Sequence, residues 1–406
     1  MFRLDHVVMD YPWGSTDQIP RLLGAAPAGG PVAEIWLGAH PLASATVARG
    51  EDDAGVSLRE VIARNPADAC GPGAPPELPF LLKVLGVGQP LSLQVHPSAE
   101  RARAGFEREE ALGVPLEAPE RTYKDPWAKA EMVYALDSFD LLAGFRAPDE
   151  IRRALEPLAR SSRVAAAMGR ALAAPGPEGL RGALAAALDT GGDPAEGAEE
   201  FAAACRRQLA APGEDPGPYA APAALARRFP GDRALPVVLM MNHLSLAPGE
   251  ALFVPPGTLH TYQRGLGIEL LSPSDNVIRA GLTSKHVDPA ALLEAVDTTG
   301  RGPSRPAVTR HDGVRLLRPP TPEFQLADIR VNGSVTAPLA GPRVALALEG
   351  DATAFTDLGS LHLGRGESLF AMDAEGALTL RGKGRVIVAA PGEGAGGRPG
   401  TVRIVE

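Results

Sequence analysis

The chain has 406 residues, enough for two or three domains, and its 45% apolar and 22% charged residues are typical of a folded globular protein and exclude wholesale disorder. A net charge of −9 argues against nucleic acid as a partner, because proteins that bind the phosphate backbone are normally basic. Two cysteines are too few for a disulfide framework, the N-terminus lacks a signal pattern and no apolar run could cross a bilayer, so we expect a cytoplasmic protein without a membrane partner.

The first 146 residues mix turn residues with short segments typical of β-strands. Some segments are apolar runs bounded by glycine or proline, and one alternates polar and apolar side chains with a period of two. Ser98 is a predicted N-cap for a helix that ends near residue 112. The predicted strands are residues 33–37, 79–84, 91–96 and 131–136.

Residues 147–232 differ in composition and are rich in alanine, leucine, arginine and glutamate. Apolar side chains recur there at helical spacing, and clusters of glycine and proline separate the stretches. We predict a small helical domain inserted between two β regions, with its alanine-rich faces packed within the chain.

Patterns typical of strands return from residue 233 to the end of the chain. The run LPVVLMMNHLSL at residues 235–246 predicts a strand, and residues 289–296 predict a helix. Beyond residue 300, short strand patterns alternate with turns, which is typical of a sandwich or a small barrel.

Two segments of this region, APGEALFVP at residues 247–255 and GRGESLFAM at residues 364–372, share a Gly-Glu turn that leads into an apolar strand. This similarity favours two copies of a jelly-roll, or cupin-like, barrel. We therefore divide the chain into one barrel formed by residues 1–146 and 233–300, which carries the candidate chemistry, the helical insertion at 147–232, and a second β domain at 301–406 without candidate metal ligands.

Four residues could together bind a metal such as zinc. On a strand, Gln94 and His96 point to the same face and place an amide oxygen beside an imidazole nitrogen. His260 follows a Pro-Gly turn at a strand start, a position that suits the mouth of a barrel. Glu131 opens an apolar strand, where its carboxylate needs either a metal or a salt bridge to Lys129 or an arginine. One carboxylate, two imidazoles and an amide around Zn²⁺ leave a net positive site, which could polarise a sugar carbonyl and hold an enediolate. Each histidine taken singly also has an ordinary structural explanation.

Lysine and arginine residues near these candidates suit an anionic ligand. Lys83 lies inside the apolar run FLLKVLG, where a buried ammonium group needs an anion. Arg279 and Lys285, together with Lys129 and Ser92, could hold a phosphate and stabilise developing negative charge. Surface charge explains Lys285 better than it explains Lys83 or Arg279.

Glu269 and Asp275 supply carboxylates close to these cations in the sequence. They could pair with the cations or move protons. Neither a P-loop nor a strand-linked dinucleotide-binding fingerprint is evident, so the sequence gives no support for nucleotide binding.

Five blocks of sequence, in this order, resemble the type I mannose-6-phosphate isomerases, which are also called phosphomannose isomerases. The resemblance covers most of the chain, including the helical insertion between two β regions. The blocks are YPWGS at residues 11–15, AEIWLGAHP at 33–41, LPFLLKVLGVGQPLSLQVHPS at 78–98, YKDPWAKAEMVYAL at 123–136 and VPPGTLHTYQRGLGIELLSPSDNVIRAGLTSKHVD at 254–288.

The resemblance implies a cupin-type β-barrel protein with a helical domain, one zinc ion per chain, and interconversion of mannose 6-phosphate and fructose 6-phosphate through a cis-enediol. The partner it implies is a small sugar phosphate, and we expect a monomer or a weak homo-oligomer. The implied zinc ligands are Gln94, His96, Glu131 and His260, and the implied essential arginine is Arg279. The other implied pocket positions are Trp13, Ser92, Lys83, Lys129, Tyr262, Glu269, Asp275 and Lys285.

One block departs from the family pattern. The segment around the zinc glutamate usually reads NHKPE, whereas this chain has Ala128 in place of the histidine and Ala130 in place of the proline. The group that moves the proton is therefore left open among Glu269, Asp275 and a zinc-bound water. Arg279 is expected to stabilise charge rather than to act as a base, because an arginine is effectively always protonated.

Two other functions fit parts of the pattern. The change at Ala128 keeps open a non-catalytic sugar-phosphate sensor on the same barrel. An iron-dependent cupin oxygenase normally uses two histidines and a carboxylate with open positions, but the glutamine, the lysines and the arginine favour an anionic substrate.

Overall fold

The computed structural model describes residues 1–49, 53–189, 192–210, 217–300 and 302–393 of the chain. The described residues form two large β-sheets and a group of helices that lies between two β regions of the sequence. The predicted fold class, mainly β with a helical insertion, is confirmed. The division into four segments stays a prediction, and residues 301 and 394–406 of its last segment lie outside the described residues.

The described residues that precede the helical insertion form eight strands and four helices. They are β1 (Phe2–Asp5), β2 (Val7–Met9), α1 (Gln18–Leu22), β3 (Glu34–Leu37), β4 (Thr46–Val47), α2 (Leu58–Arg64), α3 (Pro66–Cys70), β5 (Leu81–Val87), β6 (Leu93–Val95), α4 (Ala99–Ala111), β7 (Glu131–Ala135) and β8 (Phe139–Phe145). All four predicted strands are present with shifted ends, and Ser98 caps α4 by accepting a hydrogen bond from the backbone of Arg101.

The rest of the chain begins with helices and ends with strands. The α-helices of the insertion are α5 (Pro148–Leu155), α6 (Arg163–Ala171), α7 (Gly176–Leu188), α8 (Pro194–Leu209) and α9 (Ala220–Arg228), and α10 (Leu235–Leu239) comes directly after it. They are followed by β9 (Met241–Leu246), β10 (Ala251–Val254), β11 (His260–Leu271), β12 (Ile278–Gly281) and α11 (Pro289–Ala295). The last strands are β13 (Ala307–His311), β14 (Val314–Arg318), β15 (Gln325–Thr336), β16 (Arg343–Thr356), β17 (Gly359–Gly364), β18 (Ser368–Ala371) and β19 (Thr379–Ala390).

The helical insertion packs on the strands that border the candidate site. Its alanine and leucine side chains form one buried cluster with residues of β6 and β12, among them Val95 and Ile278. The predicted packing within the chain is therefore confirmed.

The strand predicted at residues 235–246 is wrong over its first half, where the helix α10 forms instead. Pro236 lies in the first turn of α10, where the backbone N–H that proline lacks has no partner within the helix. All five residues of α10 are buried, and such a short apolar run looks the same in a buried strand and a buried helix.

The two sheets pack face to face. The first has ten strands and includes the neighbours β10, β7, β11, β5, β3 and β2 in that order. The second has nine and includes β13, β14, β15, β19, β16, β18, β1 and β4 in that order. Leu82 and Ile268 of the first sheet and Leu346 and Ile387 of the second belong to one buried apolar cluster. Strand β1 thus joins the second sheet, where it pairs with β18.

The predicted turn repeat is confirmed at the level of local geometry. Gly249 has a φ of 85° and Gly366 has a φ of 83°, and each precedes a glutamate whose side chain accepts a backbone hydrogen bond from three residues earlier. The donor–acceptor distances are 2.8 Å for Glu250 and 2.6 Å for Glu367. The next strands, β10 and β18, lie in different sheets.

Strand β11 bends so that it belongs to both halves of the first sheet. Its first residues pair with β6 and β8, and its residues from Gly265 onward pair with β5 and β7. The register shifts between Tyr262 and Arg264, and Gly265 has a φ of 137°. The bulge therefore places Leu85 and Leu141, which come from the two halves, in one buried cluster.

A Gly265→Ala substitution is expected to lower the free energy of unfolding by about 2–4 kcal/mol. A Cβ atom there would lie 2.6 Å from the carbonyl oxygen of Ser138 and 2.8 Å from Cα of Phe139, and the φ value is unfavourable for any side chain. Urea unfolding measures the change. The control is Gly29→Ala, where a Cβ would meet nothing within 4 Å, and equal stability of the two variants would contradict the assigned bulge.

None of the helices in the described ranges is long and apolar enough to cross a membrane.

Candidate metal centre and surrounding pocket

The bend of β11 brings two histidines and a glutamate together. His260 is the first residue of β11 and pairs with Gln94 of β6, while His96 directly follows β6. Glu131 is the first residue of β7 and pairs with Leu271 at the opposite end of β11. The carboxylate therefore comes from one half of the sheet and the imidazoles from the other.

The three side chains are within ligand distance of one another and sealed from solvent. Nε2 of His96 lies 3.0 Å from Oε1 of Glu131, and Nε2 of His260 lies 3.2 Å from Oε2 of the same carboxylate. None of the three side chains is more than 2% exposed. Among the described residues this is the one group of three histidine, cysteine or acidic side chains placed to share a metal ion.

Hydrogen bonds to backbone carbonyls set the tautomer of both imidazoles. Nδ1 of His96 donates to the carbonyl of Asn276 at 2.6 Å, and Nδ1 of His260 donates to the carbonyl of Thr258 at 2.9 Å. A carbonyl can only accept, so the proton of each neutral ring is on Nδ1 and a lone pair remains on Nε2. Both Nε2 atoms and Oε2 of Glu131 are buried without a hydrogen-bond partner in the described chain. Lone pairs facing lone pairs require a cation between them, and this donor set suits Zn²⁺.

The ionisation states of these groups fit metal binding. Burial lowers the pKa of His96 to about 4 even though Glu131 acts against the shift, so the imidazole is neutral at pH 7. Burial alone would raise the pKa of Glu131, but its interactions with His96 and with the charged Lys129 outweigh burial and hold the pKa well below its ordinary value. Neutral imidazole and ionised carboxylate are the forms that ligate metals.

Gln94 is placed beside this group by the strand register. It is half-buried and pairs with His260 on one side and with Arg279 of β12 on the other, so the three side chains share one face. Its Oε1 accepts a hydrogen bond of 3.0 Å from the hydroxyl of Ser92. The role of Gln94 as a fourth ligand stays a prediction.

Asn276 holds the loop that leads to Glu131, a role that could not be predicted from the sequence. Its backbone carbonyl orients His96, and its side chain accepts from the backbone N–H of Lys124 at 2.7 Å and donates to the carbonyls of Asp125 and Trp127 at 2.7 and 2.9 Å. Asn276 is fully buried. A polar residue in a run such as PSDN carries no signal that distinguishes this role from an ordinary turn.

A buried array of charges adjoins the metal centre. Nζ of Lys83 lies 3.4 Å from Oε2 of Glu34 and 3.6 Å from Oε2 of Glu269, and 4.4 Å from the centre of the Trp36 ring. Burial would lower the pKa of Lys83, but the neighbouring carboxylates outweigh it and raise the pKa, so the ammonium stays charged. Glu34 and Trp36 were not predicted as site residues, although their period of two on a strand is a signal that could have found them.

Glu269 has an acidity suited to proton transfer. Burial, and then the charge of Glu131, raise the pKa of Glu269 to about 7 against the opposing effect of Lys83. The hydroxyl of Tyr262 is buried without a hydrogen-bond partner among the described residues, and burial with the charges of Glu131 and Glu269 raises its pKa well above the ordinary value. Lys129 lies 3.0 Å from Oε1 of Glu131 and is only 7% exposed. The structure thus brings these predicted residues together around the metal centre.

The remaining predicted residues lie further towards solvent. Oδ1 of Asp275 is 3.6 Å from Nε2 of His40, and burial raises the pKa of Asp275 against the charges of Lys129 and Lys83. Trp13 is half-buried and packs against the cluster that contains Tyr262.

The two outermost cations differ in burial. Arg279 is half-buried with no ion pair or hydrogen bond to the described residues, and this burial lowers its pKa. Lys285 is exposed, and its Nζ lies 5.9 Å from the ring centre of Tyr11. Partial burial of the ammonium group, and then the charge of Arg279, lower the pKa of Lys285.

Two imidazoles and a carboxylate that converge inside a bent antiparallel sheet define a metal-binding protein of the cupin type. Residues 1–148 match the model of the catalytic domain of type I phosphomannose isomerase. The chain is 35% identical over 395 residues to mannose-6-phosphate isomerase of Escherichia coli (strain K12), and the aligned region covers 95% of this chain and 98% of that relative. It is 30% identical over 405 residues to mannose-6-phosphate isomerase of Rattus norvegicus, with 91% and 93% covered.

Solved structures agree with these sequence comparisons. A zinc-bound mannose 6-phosphate isomerase superposes with a TM-score of 0.85 at 31% identity, with 96% of this chain and 99% of that chain covered. A point variant of phosphomannose isomerase from Salmonella typhimurium gives a TM-score of 0.86 at 31% identity, with 97% and 99% covered. The chain belongs to the type I phosphomannose isomerase family, as the sequence blocks predicted.

Proposed function

We infer that the protein is a zinc-dependent mannose-6-phosphate isomerase, an intramolecular oxidoreductase that interconverts mannose 6-phosphate and fructose 6-phosphate. The observation that carries this inference is the buried group of His96, Glu131 and His260, whose unpartnered lone pairs converge on one point. The relatives that match almost the whole chain are mannose-6-phosphate isomerases. We also propose that the protein is cytoplasmic and that it is a monomer or a weak homo-oligomer.

His96, Glu131 and His260 would hold the zinc, with Gln94 as the proposed fourth ligand. When bound, zinc supplies a Lewis acid that polarises a sugar oxygen and stabilises negative charge on it. The buried ammonium groups of Lys83 and Lys129 add positive potential on the Glu131 side of the site. Burial strengthens this potential, because little water reaches these groups to screen it.

The isomerisation requires one proton to leave C2 of mannose 6-phosphate and one to return at C1, while a hydroxyl proton moves between the two oxygens. Glu269 is the proposed base, because its pKa of about 7 lets it both take and give a proton near neutral pH. Lys83 does not compete for this role, since its raised pKa keeps it protonated. Arg279 is proposed to stabilise the negative charge of the cis-enediol, and its guanidinium lacks an ion pair within the described chain.

A Glu269→Gln enzyme is expected to lose about a hundredfold or more in kcat and to lose the acidic limb of its pH profile. A carboxylate that acts as a base must be ionised, so activity rises with pH through its pKa, which is about 7 here before the positive charge of zinc lowers it. Steady-state assays from pH 5 to 9 give the profile. Glu107→Gln, an exposed glutamate on α4, is the control. An unchanged acidic limb in Glu269→Gln would assign the proton to Asp275 or to a zinc-bound water instead.

Removal of the metal is expected to abolish the isomerase activity, and addition of zinc to restore it. The assay couples formation of fructose 6-phosphate from mannose 6-phosphate to a dye or nicotinamide signal, before and after dialysis against a chelator. A protein that binds mannose 6-phosphate without forming fructose 6-phosphate, even with zinc restored, would be a sensor rather than an isomerase. Full turnover after complete metal removal would contradict a zinc-dependent reaction.

A further inference from the structure

A cleft with a volume of about 540 Å³ opens between the two sheets, on the reverse side of the strand that carries Glu131. Tyr134 of β7 and Gly249 line one wall, and residues of β13, β14, β15 and β19 line the other. Tyr134 belongs to the apolar cluster between the sheets, whereas Val133, two residues after Glu131, belongs to the cluster on the opposite face of β7. The cleft is therefore separate from the metal centre.

Four arginines line this cleft, and the strand register sets them in directly opposed pairs. Arg310 of β13 pairs with Arg315 of β14, and Arg330 of β15 pairs with Arg385 of β19. Like charges directly opposite each other on neighbouring strands destabilise a sheet.

One of the four arginines is neutralised within the fold, and three are not. Nε and Nη2 of Arg385 donate to Oδ1 and Oδ2 of Asp328 at 2.9 and 3.0 Å, and Glu349 lies 3.6 Å from Nη1. The side chains of Arg310, Arg315 and Arg330 have no ion pair or hydrogen bond with any described residue. The cleft has one other carboxylate, on Asp312, which is more than four-fifths exposed and pairs with the equally exposed His311. The cleft thus keeps a net positive charge.

The side chain of Arg315 is held in place by the turn that contains Gly249. Its Nε is buried without a hydrogen-bond partner in the described chain. Its Nη1 occupies the space that a Cβ at Gly249 would need, and Gly249 adopts a φ of 85° in the turn before β10. The Gly-Glu turn recognised in the sequence therefore also leaves room for a guanidinium that points into the cleft.

We propose that this cleft is a second anion site, which binds a phosphate group between the β13–β14 hairpin and β15. Guanidinium groups are planar donors that match phosphate oxygens in bidentate pairs, and three free ones supply more donors than one phosphate can accept. The occupant is either inorganic phosphate or the phosphoryl group of a small phosphorylated molecule. This proposal goes beyond the isomerase function and does not depend on it.

The test compares phosphate binding by the full-length zinc enzyme with that of an Arg310→Gln/Arg330→Gln variant. Equilibrium dialysis with labelled inorganic phosphate at constant ionic strength counts the bound equivalents per chain. The charge-matched control is Arg206→Gln/Arg207→Gln, which removes two exposed arginines from α8. Because the result is a difference between variants, any phosphate bound near the metal centre cancels.

We expect the cleft variant to lose one bound equivalent, or to bind it about a hundredfold more weakly, since each lost charge-assisted contact weakens binding by about tenfold. The control is expected to bind like the unmodified enzyme, and both variants are expected to keep the isomerase activity. The thermal midpoint of the cleft variant in phosphate-free buffer is expected to rise, because two like-charge pairs are removed.

Retention of the phosphate equivalent by the cleft variant would overturn the proposal, and so would an equal loss in the control, which would indicate diffuse attraction. Glucose 6-phosphate is added as a competitor to distinguish the two sources of the anion. Displacement of the labelled ion from the cleft identifies a phosphorylated molecule as an occupant, and binding of inorganic phosphate alone identifies the free ion. Either result supports the site.

Discussion

A Glu131→Gln enzyme is expected to lose its zinc and to lose kcat by at least about a thousandfold. The glutamate is the one carboxylate of the metal centre, and its two oxygens face the two imidazole nitrogens at 3.0 and 3.2 Å. An amide in its place removes the negative charge and puts N–H groups where a ligand atom is needed. Metal analysis after gel filtration gives the zinc content, and the coupled assay gives kcat.

The control for this substitution is Glu117→Gln, an exposed glutamate outside the site. Loss of the buried carboxylate beside Lys129 also leaves a buried ammonium group without its partner, which could destabilise the fold. Circular dichroism therefore checks that both variants are folded. A Glu131→Gln protein that retains about one zinc per chain and turns over normally would remove Glu131 from the metal centre.

An Arg279→Ala enzyme is expected to lose about a thousandfold in kcat/KM without loss of stability or zinc. The guanidinium is half-buried and has no ion pair or hydrogen bond in the described chain, so its removal breaks no ion pair or hydrogen bond of the folded state. The thermal midpoint is therefore expected to stay the same or rise. Its register partner is Gln94, so one strand, β6, lies between Arg279 and His260.

The matched control is Arg264→Ala, which removes an exposed arginine from the same region of the sheet, where it pairs with Asp140 at 3.3 Å. An Arg279→Lys enzyme is expected to recover part of the lost activity, because a lysine restores the charge but not the planar pair of donors. A fall in thermal midpoint of Arg279→Ala with little change in kcat/KM would show that Arg279 has a structural role only.

Local patterns predicted the ligand candidates but not the structure that orients them. Gln94 and His96 could be predicted from the period of two on a strand, and His260 from the turn before it. Asn276 and Thr258 could not, because they act through backbone carbonyls that only the folded chain places against the imidazoles. The metal donors belong to segments far apart in sequence, and the bend at Gly265 decides that they meet.

Other features depend on which strands become neighbours. Glu34 joins the site because β3 lies beside β5, which carries Lys83. The period of two indicates which residues of β3 share a face, but it does not indicate which strand lies beside β3. The opposed arginines of the second cleft likewise follow from register alone. The error at α10 has a different cause, since five buried apolar residues have no polar face from which to recognise a helix.

A crystal structure of the active enzyme, measured with X-rays at the zinc absorption edge, tests directly whether His96, Glu131 and His260 bind the metal. We expect one strong anomalous peak per chain, about 2.0–2.2 Å from Nε2 of His96, from Nε2 of His260 and from a carboxylate oxygen of Glu131. An anomalous peak at another position, or the absence of any peak in crystals of active enzyme, would contradict the assignment of this buried group as the metal centre.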